Sequence, residues 1–286
     1  MANSITVVET YKPIIDAYYA KYDNTNVFDN TAEYISNGQY RIMKVGNPKL
    51  GNYTKNTGGA GSSQHIGYAG ADVVTSWEII KGDTPRSVQL VIDKIDDEKS
   101  FNMALEANVK AFLQQAVIEH QARRHAKIAN KTGITTKAEA IATAAELRTA
   151  LRAALNQFDN NAVPTEDRVL IILPALYALL VDDNSYTSKA VLEECGTIIK
   201  ARPEVMETKI NLLPNNGWTV DETSKTINFM LIQKDAVITG MQTEVKFFND
   251  GELVDFRGSV FDYYENPLDG YVYDNKVDGV YVSTEV

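Results

Sequence analysis

One stretch of the chain, Gly46 to Asp72, restricts the fold more than any other part of the sequence. It is rich in glycine, carries few side chains large enough for a core and shows no helical period. A loop of this length within a compact domain is usually functional. Strand-like patterns flank it, with Gln39 to Val45 before it and Val73 to Trp77 and Ser87 to Ile92 after it. The sequence therefore predicts a long β-extension whose two arms return to the same place.

A long helical pattern follows this extension. Between Asp96 and Asn130, apolar side chains recur at helical spacing, and Gly133 is placed to end the helix. At about 1.5 Å per residue, such a helix would span roughly 45–50 Å. Acidic residues are concentrated at its start and basic residues at its end, which is the order that the helix dipole favours.

The charged residues at the two ends of this helix raise two binding hypotheses. The carboxylates at its start lack the spacing of a calcium loop, so an acid-rich helix N-terminus is the favoured interpretation. They are Asp93, Asp96, Asp97 and Glu98. The basic residues at its end could meet phosphate groups, although a solvated helix end or a salt bridge between subunits is favoured. They are Arg123, Arg124, Lys127 and Lys131.

The second half of the chain mixes further helices and strands, which predicts an α+β protein. Thr136 and Glu139 match a capping box, so a second helix is expected to start there. A buried strand from Asp167 to Leu173 and a short helix from Pro174 to Val181 follow. The remaining patterns indicate a helix from Lys189 to Glu194 and strands within Val205–Leu213, Thr226–Gln233, Val237–Val245 and Gly270–Ser283.

Combinations of residues that would indicate catalysis are scarce. His120 and His125 are five apart and do not share a helix face, and the third histidine, His65, lies in the glycine-rich stretch. The single cysteine, Cys195, can form neither an internal disulfide nor a cysteine zinc site. The glycines at 46 and 51 have phosphate-loop spacing, but no lysine follows them. We therefore expect no enzyme activity and no catalytic, cofactor-binding or metal-binding residues.

Composition narrows the class of protein further. Hydrophobic residues make up 44% of the 286 positions and charged residues 23%, which is ordinary globular usage and allows a substantial core. The net charge of −10 argues against a dedicated nucleic-acid binder. The N-terminus lacks the pattern of a signal peptide, and no stretch reaches the ~20 apolar residues of a membrane helix. We expect a soluble protein made in the cytoplasm.

Four segments, taken in order, resemble the major capsid proteins of tailed bacteriophages. Leu50 to Gly59 is similar to the extended loop of that family, and Ser76 to Glu98 is similar to the arm that returns into its spine helix. Asp167 to Asp183 resembles the central strand and helix of the axial domain, and Tyr271 to Val282 resembles the closing strand of the peripheral domain. The resemblance covers nearly the whole chain and implies a Hong Kong 97-type capsid fold.

The resemblance also implies a division of the chain. Residues 1–40 would form an N-terminal arm, 41–94 an extended β-hairpin loop, and 95–131 the long spine helix of a peripheral domain. Residues 132–228 would form the axial domain, and residues 229–286 the β-strands of the peripheral domain.

The implied function is that of a virion protein, a shell subunit that self-assembles into hexamers and pentamers of an icosahedral head around double-stranded DNA. The implied partners are other copies of the chain, a separate scaffold protein or a protease that has removed a segment, a portal, and decoration proteins. Assembly would take place in the bacterial host cytoplasm, with no membrane contact. Some relatives join lysine to asparagine between subunits. The candidates here are interpreted as ordinary surface residues, namely Lys49, Lys55 and Lys81 in the loop and Asn266 and Asn275 in the last strands.

Three other interpretations remain open. An encapsulin-like nanocompartment shares the fold but would package a cargo protein. A carbohydrate- or nucleotide-handling enzyme with a long lid would need convergent polar residues in a cleft, and none can be named. A tail-tube protein would be mainly β, which the long helices count against.

Overall fold

The computed structural model describes residues 28, 33–36, 39–45, 75–82, 84–93, 104–183, 185–214, 217–240, 242–249, 252 and 258–286. Most of the expected N-terminal arm, the glycine-rich stretch from Gly46 to Asp72 and the carboxylates Asp96, Asp97 and Glu98 lie outside these ranges. No helix within the described ranges is long and apolar enough to cross a membrane.

Four α-helices are described. The longest, α1, spans Ala104–Ala129, so the described part of the expected spine helix has 26 residues. It is followed by Gly133, whose positive φ of 93° suits glycine at the turn that leaves the helix. The other helices are α2 at Ala144–Asn160, α3 at Pro174–Asp183 and α4 at Tyr186–Glu194.

The start of α2 differs from the sequence expectation. The capping box is formed by Thr143 and Glu146, and not by Thr136 and Glu139. Thr135–Ala138 is instead a strand, β5, and Ser283 Oγ donates to Glu139 Oε2 at 2.8 Å just beyond its end. Both pairs fit the capping pattern equally well, and only the pairing of β5 with a distant strand decides between them.

A mixed five-stranded sheet forms the centre of the molecule. Its order is β5, β15 (Val280–Thr284), β10 (Ile227–Gln233), β6 (Arg168–Ile172) and β7 (Thr197–Lys200). The two outer pairings, β5 with β15 and β6 with β7, are parallel, and the inner pairings are antiparallel. Every residue of β6 and β10 is buried, because helices cover both faces of the sheet.

Alternate side chains of the central strands enter two separate cores. Val169 and Ile171 of β6 pack with Ile128 of α1 on one face. Leu170 and Ile172 pack on the other face with residues of α2 to α4, which include Leu151 and Phe158. The central part of the fold is therefore three layers, with α1 on one side and the three shorter helices on the other.

A second sheet covers the first half of α1. It consists of β12 (Thr243–Phe248), β13 (Gly258–Glu265) and β4 (Arg86–Asp93), all antiparallel. Its inner face carries Phe247, Phe261 and Tyr263, which pack against Val109 and Leu113 of the helix. Period-2 alternation thus buries one face of this sheet.

The arms of the predicted hairpin meet as expected. Strand β2 (Gln39–Val45) pairs antiparallel with β3 (Thr75–Lys81), in a register that places Val45 opposite Thr75. Strand β1 (Glu33–Ser36) adds to the other side of β2. The 29 residues between the paired ends therefore leave and re-enter this sheet at one place.

The remaining strands are short. A hairpin is formed by β8 (Ile210–Leu212) and β9 (Trp218–Val220), and a second antiparallel pair by β11 (Val237–Gly240) and β14 (Leu268–Val272).

Strand pairing also bears on the division of the chain that the resemblance implies. The last segment, 229–286, is assigned to a peripheral domain, yet β10 and β15 lie in the central sheet beside β6 of the 132–228 segment. The pairing places these two strands beside a segment with a different assignment, and the division of the chain stays a prediction.

Candidate assembly site on the hairpin and at its base

The outer face of the β2–β3 hairpin is apolar and exposed. Met43, Trp77 and Ile79 are 52%, 54% and 59% exposed, and Met43 lies directly opposite Trp77 in the strand register. The guanidinium of Arg41 lies 4.3 Å from the centre of the Trp77 ring. Large apolar side chains that lie together on the surface of a monomer commonly mark a contact site for another protein. This face is a candidate assembly site.

The inner face of the same hairpin is fastened to the body of the molecule. Tyr40 and Ile42 are buried against Ile238 of β11 and Leu268 of β14. The Tyr40 hydroxyl also donates to the backbone oxygen of Asn266. One face of the hairpin therefore packs against its own chain, and the other face is available for contacts with another molecule.

The arm that returns from the hairpin is also fixed by hydrogen bonds. Thr84 Oγ1 donates to Asp269 Oδ2 at 3.4 Å. Arg86, at the start of β4, forms a two-point ion pair with Glu119 of α1, with distances of 2.9 and 3.2 Å. Two further N–H groups of this guanidinium donate to the carbonyl oxygens of Leu213 and Gly217, both at 2.9 Å. A forked guanidinium bound at four points sets the direction of the arm.

A buried charge cluster lies next to this anchor. His120 Nε2 is 2.8 Å from Glu265 Oε2, and His120 Nδ1 is 3.2 Å from Asp269 Oδ1. Arg123 Nη2 donates to Glu265 Oε1 at 2.8 Å, and Arg123 Nε is 3.1 Å from Asp269 Oδ2 without the angle of a hydrogen bond. The Tyr263 hydroxyl donates to Glu265 Oε2 at 2.8 Å. With the imidazole protonated, two cations face two carboxylates, and these four groups are neutral as a set.

The pKa directions agree with this charge pairing. Burial alone would raise the pKa of Glu265 and of Asp269, but hydrogen bonds and charges from His120 and Arg123 lower both to about 2. Burial would lower the pKa of His120, but the charges and hydrogen bonds of the same carboxylates raise it above its usual 6.5. The two carboxylates are therefore held in their ionised form, and the cluster joins α1 to β13 and β14.

The basic residues at the end of the helix do not form one surface, as the sequence interpretation assumed. Arg123 and Arg124 are only 4% and 8% exposed, and Arg123 pairs with carboxylates of its own chain. Lys127 and Lys131, at and just beyond the C-terminal end of α1, are partly exposed. Helical spacing places the four positions within about 100° of one another, so periodicity does not separate them. The difference arises because carboxylates of β13 and β14 lie against Arg123.

The other residues considered for chemistry are placed as follows. His125 is buried and its Nδ1 lies 2.9 Å from the carbonyl oxygen of Val205, while His65 lies outside the described residues. Cys195 is buried, and that burial raises the pKa of its thiol to about 12. Asn266 is 6% exposed and is not the surface residue that the sequence suggested. Among the described residues, no group of His, Cys, Asp and Glu side chains could hold a metal ion.

Sequence reasoning missed both parts of this site. The apolar outer face of the hairpin had a partial signal, because Met43 follows Ile42 and Ile79 precedes Ile80, so apolar residues fall on both faces of the strands. The charge cluster had almost none, since Glu265 and Asp269 follow His120 by 145 and 149 residues.

Comparison with known proteins shows what this fold is. No protein-family model matches the sequence, and the comparison with curated proteins finds no significant match. Several solved structures match over most of the chain. The mature capsid of bacteriophage PhiM1 has a TM-score of 0.57 and 14% identity, and covers 91% of this chain and 86% of the capsid chain. The capsid of cyanophage P-SCSP1u has a TM-score of 0.54 and 16% identity, and covers 90% and 86%.

A particle from a different source has the same fold. The virus-like particle from Pyrococcus furiosus has a TM-score of 0.55 and 13% identity, and covers 96% of this chain and 98% of the particle's chain. At these identities the likeness concerns the fold. The α+β capsid fold of the tailed phages, expected from the resemblance of four segments, is confirmed.

Proposed function

We propose that this chain is the structural subunit of a capsid shell, and that it assembles with copies of itself into the hexamers and pentamers of a phage head around double-stranded DNA. The observation that carries the proposal is the exposed apolar face of the hairpin, formed by Met43, Trp77 and Ile79, on a body with a capsid fold. The proposed role is structural and not enzymatic.

The energetics of that face suit a repeated contact between copies. Complete burial of a large apolar side chain stabilises by about 1.5–3 kcal/mol, so covering three half-exposed side chains contributes on the order of 3 kcal/mol. Such a contact is weak for one pair of subunits, where association itself costs several kcal/mol. A closed symmetric shell repeats it in every subunit, and the repeats together hold the particle.

The anchoring of the hairpin supports the same proposal. The Tyr40, Thr84 and Arg86 contacts fix the base of the hairpin to the body, so the apolar face is presented in one direction. A contact surface that is fixed before association loses less conformational entropy on binding. Strand β3 lies at the edge of its sheet among the described strands and could also accept a strand from a neighbour.

The additional partners implied by the resemblance stay proposals. They are a scaffold protein or a protease, a portal and decoration proteins. The location in the virion follows if the shell encloses a genome.

A second candidate is a compartment shell that encloses a cargo protein. The match to the Pyrococcus furiosus virus-like particle covers 98% of that particle's chain, which supports the compartment as a second candidate. Purified particles would distinguish the two, because packaged DNA supports the phage head, whereas a co-purifying cargo protein without DNA supports the compartment.

The hairpin face can be tested by substitution. In the variant M43S/W77S/I79S the face becomes polar, and we expect folded subunits with an unchanged circular dichroism spectrum that form no shells in sedimentation or negative-stain microscopy. The control variant M43L/W77F/I79V keeps the face apolar and should form shells. Closed shells from the serine variant would show that this face is not needed for assembly.

A loop deletion gives an independent test. Because Val45 lies opposite Thr75, deleting Gly46 to Asp72 and changing Val73 and Val74 to Asn and Gly leaves a two-residue hairpin turn. We expect a folded subunit that does not close shells. Shells of normal size from this variant would show that Gly46 to Asp72 is not needed for assembly.

A further inference from the structure

A cleft of about 620 Å³ opens where the end of α1 meets the base of the hairpin and the β8–β9 hairpin. Four of its lining side chains are lysines, namely Lys81, Lys127, Lys131 and Lys209. Asp221 is the acidic side chain of the lining, and its oxygens accept hydrogen bonds from Asn211 Nδ2 at 2.9 Å and Thr223 Oγ1 at 2.6 Å. Beyond the lining, Asp274 Oδ1 is 2.6 Å from Lys131 Nζ. The cleft is therefore a positive site on a chain whose net charge is −10.

The helix dipole accounts for two of the four lysines. Lys127 and Lys131 lie at the C-terminal end of α1, where cations offset the partial negative charge of the last carbonyl groups. Lys81 and Lys209 come from β3 and from the segment before β8, which are far apart in sequence and do not belong to that helix. Both are exposed, and they add positive charge beyond the Lys131–Asp274 pair, which an anionic ligand would offset.

The side chains of the lining indicate the kind of anion. Arginine suits carboxylates and phosphates alike, and Arg86 binds the Glu119 carboxylate with two hydrogen bonds. The cations that line the cleft are lysines, which bind phosphate as point charges, with Thr132 as an additional hydrogen-bonding side chain. Lysine and threonine are typical contacts of a nucleic-acid phosphate backbone and carry no sequence preference.

We propose that this cleft binds phosphate groups of double-stranded DNA. The ligand chemistry stands on the cleft alone, while the genome as the source of the phosphates rests on the proposed shell function. The phosphate hypothesis raised by the sequence, which was not its favoured interpretation, is here proposed for Lys127 and Lys131, with Lys81 and Lys209 in place of the two buried arginines.

The test compares two double variants of the full-length subunit before assembly. K81Q/K209Q removes two exposed lysines from the cleft, and K137Q/K189Q removes two exposed lysines elsewhere, so the change in net charge is the same. Binding of a fluorescent 20-base-pair duplex is measured by anisotropy over a series of salt concentrations. We expect K81Q/K209Q to weaken binding on the order of tenfold at low salt and to reduce the salt slope by about 2, because each lost phosphate contact reduces it by about 1.

Each outcome decides the proposal. Wild-type binding by K137Q/K189Q together with weakened binding by K81Q/K209Q supports the cleft. Equal weakening by both variants means that net charge alone acts, and overturns it. A glutamate peptide of equal charge that displaces the duplex at lower concentration than unlabelled duplex also overturns it, because the ligand would then be an acidic protein segment. Shell formation is scored separately by microscopy, so a failure of the shell proposal cannot be mistaken for a failure of the cleft.

Discussion

The buried charge cluster offers the most quantitative test of how this fold is held together. Glu265 accepts hydrogen bonds from His120, Arg123 and Tyr263 and is 4% exposed. The substitution Glu265→Gln keeps the shape of the side chain and removes its charge. It leaves Arg123 and His120 facing Asp269, with Glu119 Oε1 3.5 Å from Arg123 Nη1.

The expected loss of unfolding free energy on Glu265→Gln can be worked out in two ways. A pKa that falls from 4.5 in the unfolded chain to about 2 in the folded protein corresponds to about 3 kcal/mol at neutral pH. Removal of one partner from a buried ion pair typically costs about 3–5 kcal/mol, because the remaining charge is left without compensation. The imidazole can release its proton and so limit the loss. We therefore expect Glu265→Gln to lower the free energy of unfolding by about 3 kcal/mol at pH 7.

The effect of pH has a definite sign. Because the folded pKa of Glu265 lies below the unfolded value, its contribution is present above pH 4.5 and is lost as the pH falls from 4.5 towards 2. The difference between wild type and Glu265→Gln should decrease to about 2 kcal/mol at pH 3.5. Urea unfolding of unassembled subunits, followed by circular dichroism at both pH values, measures it.

The control is Glu244→Gln in the neighbouring strand β12. Glu244 pairs with Lys246, and both side chains are more than half exposed, so we expect no measurable change in stability. Two results would show that the ionised Glu265 does not stabilise the fold. One is equal urea midpoints for wild type and Glu265→Gln at pH 7, and the other is a loss of stability that does not change with pH.

Three further predictions follow from single positions. Gly196 has a φ of 74°, and a Cβ there would lie 2.4 Å from the Arg168 carbonyl oxygen. Gly196→Ala should therefore cost more than about 2 kcal/mol, and an unchanged melting temperature would contradict this. The Cys195 thiol, buried and with its pKa raised to about 12, should react with Ellman's reagent only as fast as the protein opens; rapid labelling in native buffer would count against it. Thr143→Ala removes the N-cap of α2 and should cost about 1 kcal/mol, whereas Thr143→Ser should melt like wild type.

Sequence alone determined the elements whose signal is local. The strand and helix from Asp167 to Val181 lie where the apolar run and Pro174 indicate, since a buried strand needs no partner to be recognised. The hairpin was also predictable, because two strand patterns flank a glycine-rich stretch with few core-sized side chains, and such strands commonly pair with each other. The resemblance of four segments, taken in their order along the chain, was enough to predict the fold, although sequence identity with these solved structures is 16% or less.

Tertiary structure alone decided where charges and apolar faces lie. Arg123 and Lys127 look alike in sequence, yet one is buried against Glu265 and the other lines the cleft. Thr136 fits a helix cap as well as Thr143 does, and only the parallel pairing of β5 with β15 excludes it. The physical reason is the same in each case. The periodicity of a segment specifies which of its residues share a face, but what that face meets depends on chain more than a hundred residues away.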